Sequence, residues 1–309
     1  MNNTPQISVV MGVRNGGSRL AETIDSVLSQ EDVSLEFIVV NDGSTDQTAQ
    51  MLDEYSRRDS RLKIITQQNQ GLTRALIEGC TAATGKYLAR QDAGDLSLPG
   101  RLRMQLDALR DHSGASVVSG GTRFVGPERE QLYEVVPTRS DLTSSLLELE
   151  LDRIAGPSMH GCTMFAKATY ERVGGYRASF YFAQDLDLWI RMAEIGTHLA
   201  IHDVVYEASL TIGAISSRYR KQQVETARLI LESARLRRSG KSDQAVLQKA
   251  SRIRSNEKST IGRLDRAKAL YFIGACLRRR RSPEALRYFQ RAFLTHPLHL
   301  KSALRVLTG

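Results

Sequence analysis

The sequence has no apolar run approaching the roughly 18–20 residues that a helix needs to span a bilayer, so no membrane-spanning helix is expected. Its first residues, MNNTPQ, carry neither the basic nor the apolar stretch of a secretory leader, and none is expected. Cysteine is scarce. Cys80, Cys162 and Cys276 lie far apart, and none belongs to a CxxC. A zinc site or a disulfide framework is therefore not expected, whereas buried thiols in a reducing cytoplasm are. No GxGxxG follows the first apolar run, so the phosphate cradle of a dinucleotide-dependent oxidoreductase is missing. A nucleotidyltransferase would show a glycine-rich basic signature near its start, which Gly12-Val13-Arg14-Asn15-Gly16-Gly17 matches only faintly.

What is present is an ordinary globular composition. The 309 residues are 41% hydrophobic and 25% charged, which excludes collagen, coiled-coil and disordered classes and allows a large domain beside a smaller one. The charge is unevenly placed. Residues 216–309 hold 23 Lys and Arg against six Asp and Glu, a net +17, whereas residues 1–215 carry a net −8. Two units with different partners follow, with the boundary near Ser216-Ser217.

The first hundred residues alternate β-rich runs with helical patterns. The runs are Ile7–Met11, Phe37–Val40, Leu62–Ile65 and Tyr87–Ala89. Between them, apolar residues recur at helical spacing around Leu20–Leu28, Thr45–Arg57 and Gly71–Ala83. Such alternation argues for right-handed βαβ units on a mostly parallel, Rossmann-like sheet flanked by helices. From about 115 to 215 the pattern mixes short strands, loops and one clear helix near Asp187–Ile195. After 216 it is all helical, with predicted starts at Ser242-Asp243 and Ser282-Pro283 and a final helix opened by Pro297. Ala285, Phe289, Ala292 and Pro297 match half of a tetratricopeptide repeat, and an arbitrary helical hairpin fits them equally.

In an open α/β sheet, ligands bind beyond the carboxyl ends of the strands. The four runs lead into Gly12–Gly17, Asn41-Asp42-Gly43-Ser44, Gln67–Gly71 and Asp92-Ala93-Gly94-Asp95. Any one of these reads as turn or capping chemistry. Four in order, each after a strand, converge on one rim. Carboxylates there suit base or ribose hydrogen bonding, or a divalent cation bridging to phosphate.

ISVVMGVRNGG, LEFIVVNDGSTDQT, NQGLTRAL and GKYLARQDAGDLSLPGRL, followed by HGCTMFAKATYERVGGYR and FAQDLDLWIRM, resemble in that order an inverting family 2 glycosyltransferase with the GT-A fold. The resemblance spans about residues 7–215, with a nucleotide-sugar half to about 115 and an acceptor half from 116, and leaves out the helical tail. It implies a nucleotide-diphosphate sugar donor, most simply a UDP-sugar. It also implies a hydroxyl of a glycan or lipid-linked acceptor, in bacterial surface polysaccharide synthesis. Val13 and Asn15 would line the base pocket, Asp42 would bond the base, and Asn69 and Arg74 would face the donor.

Asp92 would open the family's Asp-x-Asp motif, whose last carboxylate holds Mn²⁺ or Mg²⁺. Here that position is Gly94, which leaves two routes. Asp95 swings in as the ligand beside Asp92, or Arg90 or Arg101 neutralises the diphosphate without a metal. Asp185 is expected to be the general base and Asp187 the second choice, since Gln184-Asp185-Leu186-Asp187-Leu188-Trp189 fills the family's catalytic segment. His160 lies on the acceptor side, where a structural histidine is as good a reading. His198 and His202 flank Leu199–Ile201, where His202 reads better as a surface or strand-end histidine than as a metal ligand, and Trp189 reads as core. Arg218, Arg220 and Lys221 stand where processive members carry Gln-x-x-Arg-Trp, a motif this chain lacks. The Arg278–Arg281 run suits a solvated face or peripheral contact with the inner face of a membrane, and no nucleic-acid motif accompanies it. A different class of function also fits: a catalytically degenerate GT-A scaffold that lost its metal position at Gly94 and works through the basic tail.

Overall fold

The computed structural model describes residues 4–212, 218–255 and 261–308. The expected boundary near Ser216-Ser217 lies outside the described residues. The first half is built from strands β1 (Ile7–Val13), β2 (Leu35–Asp42), β3 (Leu62–Gln67) and β4 (Tyr87–Arg90), joined by helices α1 (Leu20–Leu28), α2 (Thr48–Arg58) and α3 (Leu72–Ala82). These strands pair in the order β3-β2-β1-β4, all in parallel. Every residue of β2 is buried, as a strand covered by helices on both faces requires. One face packs Val9, Met11, Phe37 and Val39 on Leu20 and Ile24. The other packs Val10, Ile38 and Val40 on Leu76 and Cys80.

Beyond β4 the sheet changes sense. The chain continues through β5 (Leu96–Ser97), α4 (Arg101–Asp111), β6 (Ala115–Val125), β7 (Gln131–Val135), α5 (Thr143–Leu147), β8 (Thr163–Ala166), α6 (Lys167–Arg172), α7 (Gln184–Ala193) and β9 (Thr197–Ser209). β8 pairs antiparallel with both β4 and β6, so the parallel character belongs to the first four strands. β6 and β9, of 11 and 13 residues, are longer than the short strands the sequence predicts. Register shifts at Ala115/Val117, Ser119/Gly121 and Gly121/Thr122 break their pairing, and the same interruptions hide a strand's period in sequence.

Helix α7 starts at Gln184, three residues before the predicted Asp187. Ala183 before it has φ 51°, in the left-handed region. A non-glycine residue there costs about 1–2 kcal/mol, and it turns the chain so that α7 begins at the cleft. Nearly all of α7 is buried, and Leu188 and Met192 join the core beneath β1 and β2.

The tail docks as two helical pieces. α8 (Arg220–Arg238) and α9 (Gln244–Ala250) lie beside α7, where Phe180 and Ile190 share a core with Leu229, Ile230 and Val246. Asp243 precedes α9 as expected but does not cap it. Its carboxylate accepts from Arg177 at 2.7 Å and Ser233 at 2.6 Å. α10 (Arg263–Arg279) and α11 (Ala285–Thr295) form a hairpin, followed by α12 (Leu300–Thr308). Ala285, Phe289 and Ala292 are buried inside the hairpin. It sits on the β6–β7 turn, where Glu128 pairs with Arg287 at 2.5 Å and Arg291 at 2.9 Å, and Glu130 accepts from Tyr288. All three cysteines are buried and free. No helix among the described residues is long and apolar enough to cross a membrane.

Candidate active site

The carboxyl ends of β1 to β4 bring the four predicted loops to one rim. Asn15 ties the first to the second. Its Oδ1 accepts from the Thr45 amide at 2.9 Å, and its own amide donates to Ser44 Oγ at 3.0 Å. Val13 is buried beneath it. Gly43 is required where it stands, because its φ of 68° is left-handed and a Cβ would lie 2.8 Å from the Asn69 amide. Asn69 and Arg74 are exposed, one in the loop before α3 and the other in its first turn.

Asp42 is already employed. Its Oδ1 accepts from Gln67 Nε2 at 2.6 Å and the Gln70 amide at 2.8 Å, and its Oδ2 accepts from the Gly71 amide at 2.8 Å. The carboxylate is buried and pins the loop before α3. Both of its oxygens already accept from protein donors.

The loop after β4 holds Asp92 beside Arg90, with Arg90 Nη2 2.6 Å from Asp92 Oδ1. Arg90 also donates to the carbonyls of Val10 and Gln91, and its Nε lies 3.3 Å from His160 Nε2. An arginine Nε always donates, so His160 Nε2 is an acceptor and the ring proton sits on Nδ1. The Tyr176 hydroxyl, 2.6 Å from the same nitrogen, is then a donor too. Burial, reinforced by the Arg90 charge, holds the His160 pKa well below its usual value, so the ring stays neutral. His160 is therefore buried behind Arg90, where it braces that side chain and is screened from an acceptor.

The two arginines proposed to neutralise a diphosphate have other work. Arg90 is buried, and each guanidinium nitrogen has a protein partner. Arg101 is also fully buried. It donates to Ser97 Oγ at 2.7 Å and to the Arg90 and Gly161 carbonyls at 2.6 Å each, and its guanidinium lies 5.0 Å from the Tyr206 ring centroid. It fastens the β4 loop to the segment before β8. A fully desolvated guanidinium is tolerated only with such complete pairing.

Asp95 is turned away from the rim. Its carboxylate accepts from the Ser209 amide at 2.9 Å, and burial, with the Asp92 charge adding to it, pushes its pKa up to about 8. Tyr206 links the two acids: its hydroxyl accepts from the Asp92 amide at 3.0 Å and bonds the Asp95 side chain. The sequence offers no sign of this role, which a lone tyrosine on a strand does not announce. Gly161 makes room for it, since a Cβ there would lie 2.0 Å from the Tyr206 hydroxyl.

These residues do not fit a divalent cation. Asp92 pairs with Arg90, Asp95 bonds the Ser209 amide and Tyr206 on the far side of the loop, Gly94 has no ligand, and no cluster of three His, Cys, Asp or Glu that could hold a metal occurs among the described residues. His202 is no ligand either, with Nε2 3.0 Å from Ser140 Oγ and Nδ1 2.8 Å from the Pro137 carbonyl. His198 is buried, its Nε2 3.1 Å from Ser119 Oγ, and burial brings its pKa down to about 4.

Asp185 and Asp187 stand in the first turn of α7, where the helix dipole favours acids, and the structure separates them. Asp187 is buried between two arginines. Arg191 Nη2 lies 2.6 Å from its Oδ2, and Arg177 donates to both of its oxygens. Each oxygen thus already accepts from a guanidinium, Oδ1 from Arg177 and Oδ2 from both arginines, which ties this carboxylate into the packing of α7. Asp185 has no ion-pair partner of this kind among the described residues. It accepts from the Leu186 amide at 2.9 Å and is partly exposed. Burial raises its pKa to about 6, and Asp92 across the cleft adds to the rise. Trp189 is core, packed with Leu146 and Ala193.

The geometry thus joins an open rim of strand ends to one carboxylate with a raised pKa. Residues 8–174, more than half the chain, match the family model described as "Glycosyl transferase family 2". The chain belongs to glycosyltransferase family 2. This glycosyltransferase is 31% identical over 240 residues to the Bacillus subtilis (strain 168) protein named as glycosyltransferase EpsE, covering 76% of this chain and 84% of that one. It is 28% identical over 243 residues to an uncharacterized glycosyltransferase of Haemophilus influenzae, covering 74% and 73%. The chondroitin synthase of Escherichia coli is 23% identical over 68% of this chain, and the match takes in 30% of that longer protein. Among solved structures, S. aureus TarS 1–349 in complex with UDP-GlcNAc aligns with a TM-score of 0.55 at 16% identity, over 97% of this glycosyltransferase and 89% of that chain. At that identity the likeness establishes the fold, which is GT-A.

Proposed function

We propose that this glycosyltransferase is an inverting enzyme. It takes a sugar from a nucleotide-diphosphate donor, most simply a UDP-sugar, and passes it to a hydroxyl of a glycan or lipid-linked acceptor in surface polysaccharide synthesis. The observation that carries the reading is Asp185. It is the acid of the α7 pair with no ion pair to a guanidinium among the described residues, it is partly exposed, and its raised pKa of about 6 suits a base at neutral pH. The rim of loops after β1 to β4 supplies the donor site, and the UDP-GlcNAc bound by TarS supports that class of donor.

In this mechanism the Asp185 carboxylate takes the proton of the acceptor hydroxyl as its oxygen attacks the anomeric carbon. The bond from that carbon to the diphosphate breaks on the opposite face. The configuration inverts, and no covalent intermediate forms. Arg90 holds Asp92 in place, and His160 holds Arg90. Arg218 stands beside the segment that leads into α7. Its guanidinium lies 5.3 Å from the Tyr219 ring centroid, and Tyr219 packs on Phe182 with ring centroids 5.3 Å apart, next to the start of α7. Arg218 is assigned the developing charge on the leaving diphosphate.

The test is calorimetric titration with UDP, GDP, dTDP and CMP, followed by transfer assays of Asp185→Asn. The reading expects one nucleotide to bind wild type and variant alike, with transfer lost in the variant. Retained transfer removes Asp185 as base. Binding of none by a folded sample favours a scaffold without catalysis.

A further inference from the structure

The four most exposed large apolar side chains among the described residues crowd into eleven positions. They are Leu294, Leu298, Leu300 and Leu304, at 76, 80, 78 and 59% exposure. Leu294 ends α11, Leu298 lies in the connection, and Leu300 and Leu304 stand on α12. The inner face of α12 is already chosen: Ser302 is fully buried and Val306 packs on the hairpin core. At about 100° per residue, Leu300 and Leu304 share the side opposite Ser302 and Val306. The apolar face of this amphipathic helix therefore points outward.

The surroundings are cationic. Residues 263–308 hold eleven Lys and Arg against two Asp and Glu, a net +9. Lys301 and Arg305 lie on the flank of α12 between its inner and outer faces. Lys268 and Lys301 are close enough to His299 to add to the effect of burial in lowering its pKa. The Arg278–Arg281 run, singled out in the sequence, sits at the α10–α11 turn, about 16 Å away along α11, at the end of the hairpin remote from Leu298. It adds long-range charge, but the leucines are elsewhere.

Two features must be matched together, an exposed leucine face and a strong positive field. A second copy would bring like charge against like charge. A nucleic acid would meet the charge and leave the leucines wet. We propose that the α11–α12 corner docks on the surface of an anionic lipid bilayer, with Leu298, Leu300 and Leu304 entering the headgroup–acyl boundary and Lys301 and Arg305 meeting lipid phosphates. This inference is independent of the donor, the base and the acceptor assigned above.

The test is flotation of the full chain with phosphatidylcholine vesicles and with phosphatidylcholine–phosphatidylglycerol vesicles. The protein floats with the second and not the first. The double variant Leu300→Glu with Leu304→Glu lowers the bound fraction about tenfold or more, since it removes the apolar face and adds repulsion. Lys301→Glu lowers it less. Both leucines are exposed, so thermal melts of the variants match wild type and exclude misfolding. No flotation of the wild type, or flotation unchanged in the double variant, overturns the proposal. So does a dimer in light scattering that the double variant dissolves without vesicles, or saturable RNA binding in their place.

Discussion

Arg90 Nη2 lies 2.6 Å from Asp92 Oδ1, and the guanidinium is buried while the carboxylate reaches the cleft. The contact fixes a negative charge at the end of β4 and prevents that charge from moving to meet a ligand. It also sets the field that Asp185 feels from across the cleft, where Asp92 disfavours a second ionised carboxylate.

The first prediction concerns pH. Asp185 acts as a base only when ionised, and its pKa is raised to about 6. Transfer, followed as kcat/KM, therefore rises across pH 5 to 7 with a midpoint near that value and levels above it. Arg90→Met frees the Asp92 charge from its partner and shifts the midpoint upward. A rate flat from pH 5 to 7 would remove Asp185 from the mechanism.

Asp187 predicts a contrasting phenotype. Its carboxylate is shared by Arg177 and Arg191, and Arg177 also reaches Asp243 of the tail at 2.7 Å. Asp187→Asn leaves two guanidinium groups short of a buried counter-charge, which costs about 3–5 kcal/mol. Urea unfolding should show that loss, while nucleotide affinity at a temperature where the variant is folded stays within about twofold, well under the 1.4 kcal/mol of a tenfold change. Arg177→Met loosens α7 and the α8–α9 piece together.

Much of this was legible in the sequence, for a physical reason. β1 to β4 carry continuous apolar runs because they are covered on both faces, and their loops carry small and acidic residues because the chain turns there beside a ligand rim. What was hidden depends on pairing between distant residues. Nothing local shows that Asp187 meets Arg177 and that Asp185 meets neither arginine. Nor does it show that Asp42 pins Gly71, or that Arg101 threads between the Arg90 and Gly161 carbonyls. β6 and β9 were read as short because their register breaks at bulges. Nor does the sequence show that the fold turns Leu300 and Leu304 of α12 outward.

Glu36 sets a prediction for acid. It lies at the opposite end of the strands from the cleft and accepts from Ser8 Oγ at 2.6 Å, the Thr84 amide at 2.7 Å and Lys63 Nζ at 2.5 Å. Burial opposes its charge, yet the bonds from Lys63, Ser8 and Thr84 outweigh it and lower the pKa from 4.5 to about 2. A lowered acid stabilises the fold fully above its unfolded value and loses that contribution as pH falls toward the folded one. The stabilisation, up to about 3 kcal/mol, is present at pH 7 and fades between about 4.5 and 2. Glu36→Gln should therefore destabilise the protein at pH 7 and make little difference at pH 2, as chemical denaturation at the two pH values would measure.

Gly94 stands where a metal-binding carboxylate is expected. Asp92 and Asp95 do not form a cation site as they stand, since one is held by Arg90 and the other is pushed up to about 8. Nucleotide binding by the wild type should therefore change less than about twofold, a fraction of 1.4 kcal/mol, when EDTA replaces Mn²⁺. Gly94→Asp tests the same idea from the other side. A Cβ at this position meets nothing within 4 Å, so there is room for the carboxylate, but φ is 92° and the backbone strain costs about 1–3 kcal/mol. The variant should unfold at lower urea than wild type and gain a dependence of nucleotide affinity on Mn²⁺ that the wild type lacks. Strong loss of wild-type binding in EDTA would mean that Asp92 leaves Arg90 when the nucleotide arrives. In that event Arg90→Met should tighten metal-dependent binding, because the guanidinium would be the cation's competitor for the same oxygen.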